Sequence, residues 1–196
     1  MKVFRNWAQV ILPLLVFVIL QFFFVLPAWA ETEGFYEYYI NSSTGGAVIQ
    51  KYTGDEINCI IPSKIKGHNV YKLDSFSFSG KVYMQSVKIP NTVQEIGGWA
   101  FQGCTALKSV VIPDSVTSIS GSFEGCTALQ SVVVGKGVVE LDSALNEGAF
   151  EGCTALTSVT LSRGLEVIGS ETFRGCTALP AIHIPDTVKV IGYKAF

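Results

Sequence analysis

The cysteines are the residues whose type and spacing are best suited to chemistry. Four of the five, Cys104, Cys126, Cys153 and Cys176, follow one another at intervals of 22, 27 and 23 residues. Thiols in such a series could form disulfides, bind a metal ion or fill a buried column. A metal site is disfavoured, because a linear row of sulfurs does not surround a tetrahedral ion and the sequence has no Cys-x-x-Cys motif.

The choice between disulfides and buried thiols depends on geometry. Paired strands lie about 4.8 Å apart, which suits the roughly 4.4–6.8 Å between the Cα atoms of a disulfide. Equivalent residues on stacked strands point the same way, however, whereas a disulfide needs converging Cβ vectors. We therefore favour a structural ladder of buried thiols that act as small apolar side chains. Cys59 lies outside this ladder and makes the number of cysteines odd.

Motifs for catalysis and phosphate binding are absent from the sequence. It contains no His-Glu-x-x-His, no Gly-x-Ser-x-Gly, no Gly-x-x-x-x-Gly-Lys and no calcium loop. Residues 135–137, Gly-Lys-Gly, begin like a dinucleotide fingerprint, but Glu140 stands where the third glycine is needed. We predict that the protein is not an enzyme and needs no cofactor.

Composition and charge exclude further classes of protein. Charged residues make up 15% of the 196 residues, well below the roughly 25% of ordinary soluble domains. The formal net charge is −2, so no basic surface for a nucleic-acid backbone is expected.

The first 30 residues have the organisation of a leader. Lys2 and Arg5 precede an almost uniformly apolar run over residues 8–26, which is followed by Ala28-Trp29-Ala30. This order predicts a secretory signal peptide over residues 1–30, cleaved after Ala30, with no membrane attachment afterwards. The alternative is an uncleaved membrane anchor, because the run approaches the roughly 20 residues that span a bilayer.

Internal repeats are the elements that position the cysteines. The pattern Phe-x-Gly-Cys-Thr-Ala-Leu occurs four times, at residues 101–107, 123–129, 150–156 and 173–179. The period is about 23 residues, with one insertion near residues 143–147 that we interpret as a surface loop. An apolar alternation typical of a brief strand recurs at Val87 and Ile89, Val110 and Ile112, Val132 and Val134, Val159 and Leu161, and Ile182 and Ile184.

The repeats predict a solenoid. Pro90, Pro113 and Pro185 end three of the strands, because proline has no N–H to donate. One repeat buries about six apolar side chains at roughly 1.5–3 kcal/mol each, which cannot offset an ordering cost of roughly 1–2 kcal/mol per residue. Neighbouring repeats must therefore stack. We expect a leucine-rich-repeat-like, right-handed coil with one parallel β-sheet and short helical or irregular return segments.

The repeats resemble a known family. The run Ile-Pro-Asn-Thr-Val-Gln-Glu-Ile-Gly at residues 89–97, continued by Ala100, Phe101 and Gly103-Cys104-Thr105, is similar to the BspA-like leucine-rich repeat. The resemblance covers residues 61–196, with an imperfect first repeat. It implies a secreted or cell-surface protein of the kind that adheres to host proteins or to other cells.

The segments at either end of the repeats differ from them. Residues 31–60 contain strand-like runs separated by turn-rich breaks, which predict a hairpin or meander that caps the solenoid. An alternative for the aromatic cluster Phe35, Tyr36, Tyr38 and Tyr39 is carbohydrate binding. The last repeat stops at Phe196 and is incomplete, so we expect either the absence of a terminal cap or a fragment of a longer protein.

The alternation of side chains along each strand predicts a candidate binding surface. The middle residue of each Val-x-Ile strand faces away from the core, which predicts a ligand-facing strip of Lys88, Val111, Val133, Thr160 and His183. The alternative is that this row is ordinary solvated surface. We expect a protein-binding module that recognises an extracellular or cell-surface protein; the alternative function is a structural spacer or targeting module of a larger surface protein.

Overall fold

The computed structural model describes residues 31–141 and 148–196. The signal peptide predicted at residues 1–30 and the insertion near residues 143–147 lie outside the described residues.

Within the described part, the chain forms turns and fifteen short strands and has no helix. The strands are β1 (Glu31–Glu33), β2 (Tyr36–Ile40), β3 (Ala47–Tyr52), β4 (Asn58–Ile60), β5 (Lys64–Ile65), β6 (His68–Leu73), β7 (Ser86–Lys88), β8 (Glu95–Ile96), β9 (Ser109–Val111), β10 (Ser118–Ile119), β11 (Ser131–Val133), β12 (Glu140–Leu141), β13 (Ser158–Thr160), β14 (Val167–Ile168) and β15 (Val190–Ile191).

One parallel sheet contains the strands that the Val-x-Ile alternation predicts. Its order is β13-β11-β9-β7-β4, and we call it the first sheet. Equivalent residues pair in register, so that Val132 lies between Val110 and Val159. Each coil of the chain contributes one strand of three residues, as a solenoid requires. The predicted solenoid is confirmed.

A second row of strands corrects the expectation of a single sheet. These strands pair in parallel as β6-β8-β10 and as β12-β14-β15, and all of them except β6 are two residues long. Ile96, Ile119 and Ile168 point into the core from these strands. Sequence periodicity does not reveal such strands, because two residues are too few to distinguish a strand from a turn.

The return segments are irregular rather than helical. In the Phe-x-Gly-Cys motif, the N–H groups of Phe101 and Gly103 donate to the carbonyls of Ser122 and Glu124 in the next coil, at 2.8 and 2.9 Å. A helix would instead pair these groups within its own segment. Gly103 also adopts a φ of 67°, a left-handed conformation that glycine reaches without steric cost.

A continuous stack of aromatic rings runs through the core. Successive ring centroids are 4.9–5.6 Å apart from one end of the described solenoid to the other. Phe78, Phe101, Phe123 and Phe150 are fully buried in this stack. Its members, in order, are Tyr36, Tyr52, Phe78, Phe101, Phe123, Phe150, Phe173 and Phe196.

The N-terminal strands continue the solenoid rather than standing apart from it. β1, β2 and β3 form an antiparallel meander, and β3 pairs in parallel with β6. β4 at Asn58–Ile60 already belongs to the first sheet, so the repeats begin slightly before residue 61. Tyr38 is fully buried and its hydroxyl donates to Glu31 Oε2 at 2.6 Å, and Tyr36 stacks on Tyr52. Burial therefore removes Tyr38 from the aromatic cluster considered for carbohydrate binding.

The last coil departs from the predicted pattern. Residues 180–184, where a strand with Ile182 and Ile184 is expected, form no strand. In earlier coils, the residue that follows the motif leucine donates its N–H to the preceding coil, as Thr157 does to Gln130 at 3.0 Å. Pro180 occupies this position and has no N–H. The first sheet therefore ends at β13.

Candidate interaction surface

The strand residues predicted to face a ligand are exposed and aligned. Val111, Val133 and Thr160 pair side by side across β9, β11 and β13, and the exposed fractions of Val111 and Val133 are 61% and 42%. Lys88 is also exposed and pairs with Ile60 of β4. Ile60 is 68% exposed and extends this row of side chains. Ile60 was predicted to belong to the cap and is not part of the predicted strip. Its strand, Asn-Cys-Ile, nevertheless alternates exposed and buried side chains as β9 does.

His183 does not join this row as predicted. Its side chain is exposed, but it lies in residues 180–184, outside the first sheet. Because Pro180 interrupts pairing, the alternation that places Lys88 on the sheet does not fix the direction of His183. We therefore define the outer strip as Ile60, Lys88, Val111, Val133 and Thr160.

An open groove of about 810 Å³ runs beside the outer strip. Val111, Val133 and Thr160 line one side. The turns that follow the strands line the other side, and each coil contributes a polar side chain there. These residues are Asn91, Asp114, Lys136 and Arg163, which we call the turn column.

The turn column is held by contacts between coils. The backbone N–H of Lys136 donates to Asp114 Oδ1 at 2.9 Å, and Lys136 Nζ lies 3.7 Å from Asp114 Oδ2. Both side chains are exposed, so the ion pair contributes little to stability. The Gly-Lys-Gly sequence at residues 135–137 is thus a turn that stacks on the preceding coil.

Charge is distributed unevenly around the solenoid. The five strands of the first sheet carry Lys88 and no acidic residue. Acidic side chains such as Glu95 and Glu140 lie on the second row of strands, and others such as Glu124 lie in the return segments. The groove therefore presents a neutral to basic surface on a chain whose net charge is negative.

The cysteine ladder lies in the core, away from the groove. Cys104, Cys126 and Cys153 are fully buried, Cys176 is partly buried, and all of them are free thiols. Each sulfur approaches the carbonyl of the motif phenylalanine one coil earlier. The pairs are Cys104 with Phe78, Cys126 with Phe101, Cys153 with Phe123 and Cys176 with Phe150, at 3.2–3.3 Å.

These contacts give the thiols a second role that sequence analysis missed. As well as filling space, each S–H donates a weak hydrogen bond between coils. Burial raises the pKa of the Cys153 thiol well above its usual range and that of Cys176 to about 11. Cys153 and Cys176 are therefore protonated and unreactive at neutral pH. Cys59, on β4, is likewise a buried free thiol, and burial raises its pKa to about 11.

Alkylation of the native protein tests this description of the ladder. Iodoacetamide at pH 8 is expected to label Cys176 slowly and Cys153 at least tenfold more slowly still, because only the former is partly accessible and thiolate is the reactive form. Mass spectrometry of tryptic peptides measures both rates in one sample. Unfolding in urea is the control and should make the two rates similar. Rapid native labelling of Cys153 would contradict the ladder.

A stacked aromatic pair, of which Phe76 is exposed and Trp99 partly buried, is a further surface feature. Phe76 and Trp99 stack with centroids 5.0 Å apart and planes inclined by 8°. Both have positive φ values, of 60° and 55°, a strained conformation for bulky residues. Trp99 Nε1–H donates to Glu124 Oε2 at 2.8 Å. The signal for this pair in the sequence is an aromatic residue two positions before the motif phenylalanine.

The described residues offer no arrangement typical of a catalytic or metal centre. No group of three His, Cys, Asp or Glu side chains in residues 31–141 and 148–196 could hold a metal ion. No helix in this part of the chain is long and apolar enough to cross a membrane.

Comparison with known proteins identifies the repeats. The sequence model of the BspA type leucine-rich repeat region, in six copies, matches residues 57–147 and 143–196. The chain belongs to the BspA-type leucine-rich repeat family. Members of this family are commonly surface proteins, and leucine-rich repeats are typically non-enzymatic interaction modules. No curated protein matches this BspA-type chain.

Solved structures of bacterial leucine-rich repeat proteins share its fold. A leucine-rich repeat protein of T. pallidum is 26% identical with a TM-score of 0.65, over 83% of this chain and 86% of that protein. A leucine-rich cell surface protein of Faecalibacterium prausnitzii is 31% identical with a TM-score of 0.58, over 85% of this chain. The BspA-type chain spans about half of that second protein, 51%.

Proposed function

We propose that this BspA-type repeat protein is a secreted or cell-surface module that binds an extracellular or cell-surface protein, as in adhesion, through the outer strip and the adjoining groove. The observation that carries the proposal is the exposure of Val111 and Val133 side by side on a regular sheet. Contiguous exposed apolar side chains with a polar rim are typical of protein interaction sites. The similar F. prausnitzii protein is itself a cell surface protein, which supports the proposed location.

A binding module needs area and shape rather than a reactive group. The groove and the strip extend over several coils, and the turn column supplies polar groups along the edge. This arrangement matches an interface with an apolar centre and a polar rim. A small-molecule site would instead require a deeper, more enclosed pocket.

A pair of double variants tests the proposal. Val111→Ser/Val133→Ser is expected to weaken binding to a partner at least tenfold, because burying each valine contributes roughly 1.5–3 kcal/mol. The matched control is Val190→Ser/Ile191→Ser on β15, where both side chains are 51% exposed. Biolayer interferometry against a panel of extracellular matrix and cell-surface proteins measures the affinities, with the C-terminally tagged protein on the sensor.

The outcomes separate binding from a spacer role. Loss of binding in the strip variant alone supports a partner on the first sheet. Equal loss in both variants places the interface elsewhere and contradicts the proposal. A folded protein that binds no member of the panel favours a structural spacer or targeting module instead.

A further inference from the structure

We propose that the groove beside the outer strip binds an extended segment of the partner protein that carries acidic side chains at both ends of an apolar centre. This inference rests on the proposed function and adds the chemistry of the partner. It follows from the shape of the groove, the positions of its cationic side chains and the absence of acidic residues from the first sheet.

Two cationic groups flank the valine pair: Lys88 lies just outside the groove lining, and Arg163 lines the groove. Lys88 lies on β7, one strand beyond Val111, and Arg163 follows β13 in the turn column. Both side chains are exposed, and neither has a carboxylate of the described residues within 4 Å. Lys136 lies between them and is partly neutralised by Asp114. The positions that flank the two valines are therefore more cationic than the Asp114–Lys136 turn pair between them.

The apolar part of the surface lies between these two cationic side chains. Val111 and Val133 occupy the two strands between β7 and β13. An apolar partner side chain placed there would cover both valines. Along the stack of coils the side chains are thus Lys88, Val111, Val133 and then Thr160, with Arg163 in the turn column beside Thr160. An acidic-apolar-acidic segment is the complement of two cations that flank an apolar pair.

The spacing of the strands sets the spacing of the partner residues. Three steps separate β7 from β13, so at about 4.8 Å per step Lys88 and the turn that carries Arg163 are about 14 Å apart along the stacking direction. An extended chain rises about 3.3 Å per residue, so two acidic residues four positions apart span about 13 Å. Residues at i, i+2 and i+4 share one face of an extended chain. The matching pattern is therefore acidic-x-apolar-x-acidic.

A phage-displayed library of random dodecapeptides is the probe for this pattern. Selection on the full-length protein is expected to enrich peptides with two acidic residues four positions apart and an apolar residue midway. A synthetic peptide of the enriched sequence should bind at least tenfold more weakly to Lys88→Glu/Arg163→Glu. Its affinity should also fall when the salt concentration is raised, because exposed charge pairs are screened.

The matched control reverses two charges outside the groove. Lys51 and Lys64 are exposed on β3 and β5, so Lys51→Glu/Lys64→Glu changes the net charge equally and should leave peptide affinity unchanged. Circular dichroism checks that both variants fold. Enrichment of basic peptides, no enrichment, or equal loss in both variants would overturn the inference.

The same variants distinguish this inference from the proposed function. A protein partner could lose affinity for Val111→Ser/Val133→Ser but not for Lys88→Glu/Arg163→Glu. In that case the outer strip binds a partner, and the inference that the partner carries acidic side chains is wrong. If the partner's affinity changes with neither variant, both proposals fail.

Discussion

Replacing Phe123 by alanine is expected to lower the free energy of unfolding by about 3–5 kcal/mol. Phe123 is fully buried and stacks on Phe101 and Phe150 with centroid distances of 5.1 and 5.6 Å. The substitution removes its own buried area and also leaves a cavity between two coils. Urea denaturation followed by circular dichroism measures the change.

Phe196→Ala is the matched control for the stack. Phe196 has one neighbour in the stack, Phe173, and is 54% exposed, so its loss should cost about 1 kcal/mol. In a solenoid, stability is carried by contacts between adjacent coils, and a central ring takes part in two such contacts. Equal destabilisation by the two substitutions would show that the stack does not hold the coils together.

Alkaline pH is expected to destabilise the reduced protein through the buried thiols of Cys153, Cys176 and Cys59. Burial raises the pKa of Cys153 well above the usual thiol value near 9, so the unfolded chain loses this proton at a lower pH than the folded protein. Below pH 9 the two states bind the same proton and the stability is intact. Above pH 9 only the folded state keeps it, and stability falls as pH rises.

The size of this effect follows from proton linkage. Each thiol that stays protonated in the folded state lowers the free energy of unfolding by about 1.4 kcal/mol per pH unit above its unfolded pKa. Cys176 and Cys59 have folded pKa values of about 11. They therefore also lower the free energy of unfolding as the pH rises from 9 to 11. Urea denaturation at pH 7.5, 9 and 10 with a reductant present measures the slope. The variant Cys153→Ala should reduce the slope by the share of one thiol, and a slope unchanged by that variant would contradict the assignment.

The repeat pattern was sufficient to predict most of the solenoid. The Val-x-Ile alternation located β7, β9, β11 and β13, because three residues that alternate between core and solvent are visible in the sequence. The recurrence of Cys126 and its equivalents predicted a ladder, since equivalent positions in stacked coils must lie above one another. These inferences needed only the period of the sequence and the size of its side chains.

The pattern failed where one coil depends on its neighbour. The return segments could be helical or irregular, and hydrogen bonds such as that from Phe101 to Ser122 make them irregular. Pro180 looks unremarkable after the motif leucine, yet it removes the donor that would pair the last coil with β13. The hydrogen bonds between coils depend on which residue of the neighbouring coil faces a given backbone group. The repeat period alone does not give the distance between the two backbones.

The sequence by itself determined the period, the residues that face the core and the positions where strands end, because apolar alternation, glycine and proline act locally. Only the tertiary structure decided that Tyr36 and Tyr52 continue the phenylalanine stack, that Ile60 joins the outer strip and that His183 leaves it. It also decided that the valines and the turn column, which includes Arg163, line one groove. These features join residues from different coils, whose mutual distances are set by the backbone pairing between coils.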